Sequence, residues 1–258
     1  MTADDPFTAA EGFGVTALIA TGTGRWEQAR HDIALARQAA TTAARSRYDT
    51  QLQILLALID YHENKPEVAL QRLDSLEAGI DRNGFDRALP WVHATAAEAA
   101  LRLGDVVRAA AAGHASLTTA ERFGRIDDEA RALAVLGRVA LADGDHTEAR
   151  AALAAVTRRL EQTSATAIHY LELHAGAAEL AVALAGSRRE PTARRQLQAL
   201  GRYARSVPIA APRHALLSAR STGDTAVLRR AKALARRYGL PWEETAASDE
   251  EPVATPGS

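Results

Sequence analysis

The residue types that most often carry out chemistry occur in this chain, but their spacing gives no catalytic or metal-binding motif. There are eight histidines and no cysteine, so a site would depend on imidazole, carboxylate or hydroxyl groups. His169 and His174 stand five residues apart, which on a helix separates their directions by about 140° and prevents a shared metal ion. The other histidines fall one to a predicted helix, with no acidic residue four positions later. We therefore predict no metal site, no cofactor and no enzymatic activity.

Two glycine-containing strings and one acidic cluster have structural explanations. The strings at residues 12–14 and 22–24 lack the lysine of a phosphate-binding loop, and no predicted strand introduces them as in a dinucleotide site. Helix packing accounts for both. Asp127, Asp128 and Glu129 stand at a predicted helix start, where unpaired amides and the helix dipole favour negative charge. We interpret this acidic cluster as helix capping.

The elements that would position any site follow a repeat of 40 residues. Each repeat has an alanine at that spacing and a small residue twelve positions earlier. These positions are Ala29, Ala69, Ala109 and Ala149, preceded by Ala17, Ala57, Ala97 and Gly137, and a fifth copy places Ala193 after Ala181. Apolar or small residues recur four and seven positions after each alanine, on one stripe of a helix. The spacing predicts two antiparallel helices per repeat, which cross so closely that only small side chains fit.

Turn residues separate the two helices of each pair. They are Gly24, Asn64, Gly104, Gly144 and the Gly186–Ser187 pair, and they tolerate the left-handed conformation that ends a helix. Pro66 and Pro191 then stand at helix starts, where a missing N–H group is tolerated. The predicted helices span residues 8–22, 26–46, 49–63, 66–81, 89–103, 106–123, 127–143, 146–162, 166–185, 190–206, 212–221 and 224–238.

The order of a small residue, an alanine and two apolar residues resembles the tetratricopeptide repeats. It is carried by Ala57-Ala69-Leu73-Leu76 and by Gly137-Ala149-Leu153-Val156. The resemblance covers about residues 8–206, with a degenerate sixth pair at 212–238. The chain departs from the family in its period, which is about 34 residues there. It also lacks the family's early tryptophan, whose position holds Phe13, Gln53, His93, Leu133 and Ala177.

The longer helices, and the closing string at residues 229–244, are similar to sensor arrays attached to bacterial ATP-dependent transcription activators and related signalling ATPases. The resemblance implies an all-α fold, in which about six antiparallel helix pairs form a right-handed superhelical array, or solenoid.

The same resemblance implies that the first helix of each pair lines a concave groove. Carried over position by position, the groove residues are Gln51, Leu58, Tyr61, His62, Trp91, Glu98, Arg102, Arg131 and Arg138, with Glu11 and Leu18 at the start of the array. Tryptophan, tyrosine and arginine contribute strongly to binding interfaces, so this set suits a peptide or a helix. The alternative for Trp91 is packing between repeats.

Charge is strongly segregated along the chain, although the net charge is only −1. Residues 1–185 carry −7, residues 186–240 carry +11 and the last 18 residues carry −5. The predicted basic patch comprises Arg188, Arg189, Arg194, Arg195, Arg202, Arg229, Arg230, Arg236 and Arg237. Three alternatives remain open for it: a solvated face met by the acidic residues 249–251, an acidic protein partner, or nucleic acid. Only Tyr203 and Tyr238 could stack on bases, which disfavours single-stranded nucleic acid.

We expect one helical-repeat domain at residues 1–243 and a disordered acidic tail at 244–258, which holds too few apolar residues to fold. Asp4 and Asp5 stand where a signal peptide would carry basic residues. No apolar run approaches the roughly 18 residues of a membrane span. These features predict a cytoplasmic protein with no membrane partner.

The leading functional hypothesis is a non-enzymatic protein-protein interaction scaffold that binds a peptide or helix in its groove. The similarity to sensor arrays implies a sensor or adaptor segment of a bacterial regulatory system. Two alternatives remain: a nucleic-acid-binding regulator that uses the arginine-rich helices, and a small-molecule sensor.

Overall fold

The computed structural model describes residues 5–43, 46–83, 85–163, 167–185 and 190–251. These residues form thirteen α-helices and no strand, which confirms the predicted all-α class. The helices are α1 (Pro6–Gly22), α2 (Trp26–Thr42), α3 (Ser46–His62), α4 (Pro66–Asn83), α5 (Leu89–Arg102), α6 (Val106–Arg122), α7 (Ile126–Ala142), α8 (His146–Leu160), α9 (Leu171–Leu184), α10 (Pro191–Ser206), α11 (Ala211–Thr222), α12 (Thr225–Tyr238) and α13 (Pro241–Asp249).

All twelve predicted helices are present, and most begin and end within three residues of the predicted positions. The larger differences lie at the end of α2, which stops at Thr42, and at the start of α9. A single 3-10 turn at Ile168–Tyr170 precedes α9, so this helix begins at Leu171 and not at residue 166.

The helices pack in chain order as two layers. The odd-numbered helices α1 to α11 contact one another in sequence and form the inner layer. Each even-numbered helix packs on its own partner and on the next odd-numbered helix, so α2 to α10 form an outer layer that bridges successive pairs. This packing of consecutive helices is compatible with a helical repeat protein.

The small residues of the 40-residue repeat lie where the helices cross. Ala29, Ala69, Ala109 and Ala149 are fully buried, as predicted. At Gly137 a methyl group would lie 2.8 Å from Cδ1 of Leu180 and 2.9 Å from Cβ of Ala152. Such distances are shorter than packed carbon atoms allow, so the close helix crossing requires a small residue in this register.

The predicted turn residues also have the expected backbone. Asn64 has φ of 60°, and Gly24, Gly104 and Gly144 have φ between 72° and 79°. Each ends the first helix of its pair in the left-handed region, which costs glycine and asparagine little. The Gly186–Ser187 pair lies outside the described residues.

The first helix pair packs against the end of the chain. The Trp26 indole Nε1 donates to the backbone carbonyls of Tyr238, at 2.9 Å, and Gly239, at 3.1 Å. Any side chain at Gly24 would meet the Tyr238 carbonyl oxygen at 2.8 Å. One hydrophobic core cluster accordingly joins residues of α1 to α3 with residues of α9 to α12. The array is therefore closed at this point, and its two ends are in contact.

The prediction of a disordered tail is wrong for residues 244–251. Helix α13 begins at Pro241, continues to Asp249 and buries Glu243 and Ala247. Proline in the first turn favours a helix start. The Glu243 carboxylate also pairs with buried Arg213, and no local sequence pattern reveals this ion pair. Residues 252–258 lie outside the described part of the chain.

The helix crossings give a first prediction. Ala149→Leu should lower the free energy of unfolding by about 1–3 kcal/mol, because the added atoms overpack the interface between α7, α8 and α9. Ala154→Leu, an exposed position on the same helix, is the control and should change stability by less than about 0.5 kcal/mol. Urea denaturation of both variants measures the difference, and equal stabilities would contradict the packing argument.

Candidate functional site

The predicted groove positions converge on the middle of the inner layer, but most of them are not on an open surface. Leu58, Tyr61, His62, Glu98 and Arg131 are buried. The side chain of Arg138 is also largely covered, and Trp91 and Arg102 are half-buried. Glu11, Leu18 and Gln51 are exposed. The expectation that these side chains line an open groove is therefore wrong for the buried five. Their polar groups face one another inside the closed array. The sequence pattern had predicted that they would lie on an open concave face.

Arg131 of α7 and Glu98 of α5 form a buried ion pair. The guanidinium Nε donates to Glu98 Oε1 at 2.9 Å, and Nη2 donates to Glu98 Oε2 at 2.6 Å and to the Thr95 hydroxyl at 3.0 Å. The Glu98 carboxylate keeps the pKa of Arg131 above its usual value although burial alone would lower it. The third nitrogen, Nη1, is buried and has no hydrogen-bond partner.

A second group of buried charges lies around Glu172 of α9. Both its carboxylate oxygens lack hydrogen bonds, and the nearest cations are Nη1 of Arg138 and Nη1 of Arg213, each at 3.8 Å. Arg213 Nη2 donates to Glu243 Oε1 at 2.7 Å, and Arg138 Nε lies 3.1 Å from Glu179. Burial alone would raise the pKa of Glu172, but the arginines, Arg213 foremost, lower it to about 2. The carboxylate is therefore ionised near neutral pH.

These two groups form what we term the charged layer, which consists of Glu98, Arg131, Arg138, Glu172, Glu179, Arg213 and Glu243. Of these, Glu172, Glu179, Arg213 and Glu243 were not predicted as site residues. The sequence does contain one indication of Glu172 and Glu179. They are seven residues apart, so they share one face of α9, a helix that is mostly apolar and buried. Each charge has its partner on another helix, so no local spacing could pair them.

Two cavities lie at opposite ends of the inner helices. The first, here the apolar cavity, has a volume of about 180 Å³ and is bordered by Leu18, Leu55, Leu58, Trp91, Arg131 and His169. The second, here the arginine cavity, has a volume of about 430 Å³ and is bordered by Arg102, Arg138, Glu179, Leu217, Arg220 and Trp242. The apolar cavity adjoins the N-terminal halves of α5 and α7, and the arginine cavity adjoins their C-terminal ends.

Trp91 is part of the wall of the apolar cavity. Its indole Nε1 donates to Asp128 Oδ1 at 2.8 Å, and its ring lies 4.8 Å from the His169 imidazole and 4.7 Å from the Arg125 guanidinium. These contacts join α5, α7 and the 3-10 turn before α9. These contacts therefore fit packing between repeats, the alternative to a role in partner binding.

The acidic cluster at the start of α7 was interpreted as helix capping, and this interpretation is wrong. Arg125 occupies the cap position, with no side-chain cap hydrogen bond. Asp128 instead pairs with Arg125 and accepts from Trp91, Glu129 pairs with Arg159 at 2.8 Å, and Asp127 accepts from the Thr163 hydroxyl. The carboxylates make tertiary contacts because their helix start faces α5 and the end of α8.

The described members of the basic patch lie on α10 and α12 and are exposed. Arg188 and Arg189 lie outside the described residues. The acidic end of the chain pairs with part of the surrounding basic surface, because Glu244 contacts Arg236 at 2.6 Å, Glu250 contacts Arg220 at 2.6 Å and Glu251 contacts Lys232 at 3.1 Å. Glu250 and Glu251 therefore pair with basic residues beside the patch, and Glu244 pairs with Arg236 of the patch itself. The solvated face, an acidic protein partner and nucleic acid all stay predictions.

His62 should make the stability depend on pH. Burial lowers its pKa from 6.5 to about 4, with Arg102 and Arg213 acting in the same direction and Glu172 and Glu243 opposing. Between these values the unfolded chain binds a proton that the folded chain does not, so stability falls as pH falls.

His62→Gln should accordingly make the plot of unfolding free energy against pH shallower, by about 1 kcal/mol per pH unit between pH 6 and 4.5. His31→Gln, at an exposed position, is the control and should leave the slope as in the wild type. Urea denaturation at four pH values measures the slopes. A slope unchanged by His62→Gln would contradict burial of a neutral imidazole.

The Arg131–Glu98 pair gives a further prediction. Arg131→Met should cost about 3–5 kcal/mol, because Glu98 is left buried without its cation. Adding Glu98→Leu should recover much of that loss, since two apolar side chains replace the pair. Thermal and urea unfolding measure both variants, with exposed Arg158→Met as the control. If the double variant is less stable than Arg131→Met, the prediction is contradicted. The attraction within the ion pair would then exceed the cost of burying its two charges.

Within the described residues, no helix is both long and apolar enough to cross a membrane. In the same part of the chain, no group of three or more histidine, aspartate or glutamate side chains is placed to hold a metal ion. A scan of protein-family models finds no match to the chain, and a search of curated proteins finds no relative.

Proposed function

We propose that the chain is a non-enzymatic scaffold of the tetratricopeptide type, and that it docks a helix of a partner protein on the open side of α1. The proposal moves the docking surface away from the predicted groove, whose residues are mostly buried. A role as a sensor or adaptor segment in a bacterial regulatory system is part of this proposal, and it is supported by the residue pattern of the repeats.

One observation carries the proposal, namely an exposed apolar stripe on α1. Val15, Leu18 and Ile19 are 55%, 41% and 55% exposed and are spaced three and four residues apart, so they share one face of the helix. Among the described residues, the other large exposed apolar side chains are scattered over α4, the residue after α5, α6 and α7. A contiguous apolar face bordered by polar residues is typical of an interaction site.

The packing of the other inner helices indicates what the stripe would bind. Helix α5 lies between α3 and α7, and α7 lies between α5 and α9, so each is covered on two sides. In the inner layer, α1 has α3 on one side. On its other side it meets the 3-10 turn at Ile168–Tyr170 and Val207 near its C-terminal end, at Gly22. A further helix with an apolar stripe would repeat the contact that every other inner helix already makes. We therefore commit to an amphipathic helix as the occupant.

Site-specific photo-crosslinking tests this docking surface, because the chain has no cysteine to compete for the label. Gly12→Cys places a thiol beside the stripe, at an exposed position where an added Cβ meets no atom within 4 Å. Labelled with a benzophenone maleimide, this variant should crosslink to a partner protein in a lysate of the native host. Mass spectrometry should then identify a partner peptide whose sequence has apolar residues three and four positions apart, the pattern of an amphipathic helix.

Two control variants make the result specific. Val107→Cys, at an isolated position that is 82% exposed, should give no such crosslink. Val15→Glu with Ile19→Glu, combined with Gly12→Cys, should abolish it while circular dichroism and melting temperature stay close to those of the wild type. The same products from Gly12→Cys and Val107→Cys would contradict the proposal. A crosslink between two copies of this chain would also contradict it, by showing that the stripe serves self-association.

A further inference from the structure

The apolar cavity has a polar floor that the fold itself does not satisfy. Arg131 borders the cavity with a fully buried side chain, and its Nη1 carries two N–H groups that have no partner. The Nε2 atom of His169, also at the cavity, is buried and likewise unpartnered. Buried donors without acceptors are unfavourable, and those of a charged group more so. The floor is therefore a place where an acceptor atom would be strongly stabilised.

The electrostatic environment favours a negatively charged acceptor. Burial, together with the positive charges of Arg131 and Arg125, lowers the pKa of His169 to about 3, so the imidazole is neutral near pH 7. The tautomer with hydrogen on Nε2 can donate. The cavity also adjoins the N-terminal halves of α5 and α7, and the N-terminal ends of helices carry positive partial charge.

The walls of the cavity determine the size and polarity of the part of a ligand that is attached to the acceptor group. Leu52, Ile54, Leu55 and Leu58 of α3 and Ile168 supply an aliphatic surface. Cavities of about 150 Å³ accept a benzene-sized molecule, and this one has about 180 Å³. Exposed Leu18 and Gln51 form the rim through which a ligand would enter.

We propose that the apolar cavity binds a small carboxylic acid with one ring-sized apolar group, whose carboxylate accepts hydrogen bonds from Arg131 Nη1 and His169 Nε2. The ring lies against the aliphatic wall of α3, and the carboxylate replaces the acceptor that the floor lacks. This site goes beyond the scaffold function and does not depend on it, because it is measured on the purified chain without any partner protein.

Calorimetric titration at pH 7.5 with benzoate, and with benzyl alcohol as the neutral match, tests the proposal. Benzoate should bind about tenfold or more tightly than benzyl alcohol, because hydrogen bonds to a charged acceptor are roughly twice as strong as neutral ones. It should also raise the melting temperature, since it binds the folded chain only. Equal affinities would overturn the carboxylate assignment, and no binding of either compound would overturn the site and leave ordered water as its content.

Two variants locate the site without removing the ion pair of Arg131. His169→Phe keeps a ring between Trp91 and Tyr170 but removes the donor, and it should reduce the preference for benzoate to about threefold or less. Leu18→Trp, at the exposed rim, should weaken both compounds by about tenfold through steric blocking. An unchanged preference in His169→Phe would overturn the role of this imidazole. Undiminished binding in Leu18→Trp would show that the ligand binds elsewhere.

Discussion

The close approach of helices at alanine and glycine is the constraint on which the rest of this structure depends. Where Ala57, Ala97 and Gly137 sit at the crossings, neighbouring backbones come near enough to bring the inner helices together. Any polar side chain on the inward face then loses its contact with water. Such groups are stable only if they find partners of opposite charge or hydrogen-bonding capacity. The charged layer is the result: its arginines and glutamates come from five different helices and largely neutralise one another.

The repeat made the helices and their crossings predictable. The spacing of the alanines and the turn residues is local information, and it sufficed for twelve of the helices and for the burial of Ala69 and Ala149. The closure of the array was not predictable in the same way. It depends on small rotations that accumulate from pair to pair, and no single residue encodes that sum. Trp26 carries no sequence signal that its acceptors are at Tyr238 and Gly239.

The candidate site was predictable only as a set of positions. The inward positions of α5 and α7 were identified correctly as converging, since Glu98, Arg131 and Arg138 do meet in the middle of the molecule. An arginine that faces a groove and an arginine that faces a buried glutamate look the same in the sequence, because the difference lies on another repeat. Helix α13 was missed for a related reason, as a short acidic segment gains its stability from Arg213 and not from its own composition.

The contact between Trp26 and Gly239 joins residues 213 positions apart, and this has a consequence for synthesis on the ribosome. At typical elongation rates of about 5–20 residues per second, the first helix pair waits roughly 10–40 s for its last partner to be made. During that interval the indole packs against His62 of α3, but its N–H group lacks the two carbonyl acceptors. A chain that stops short of α12 never supplies these acceptors, so a truncated product keeps the indole donor without its hydrogen bonds and lacks the contact that closes the array.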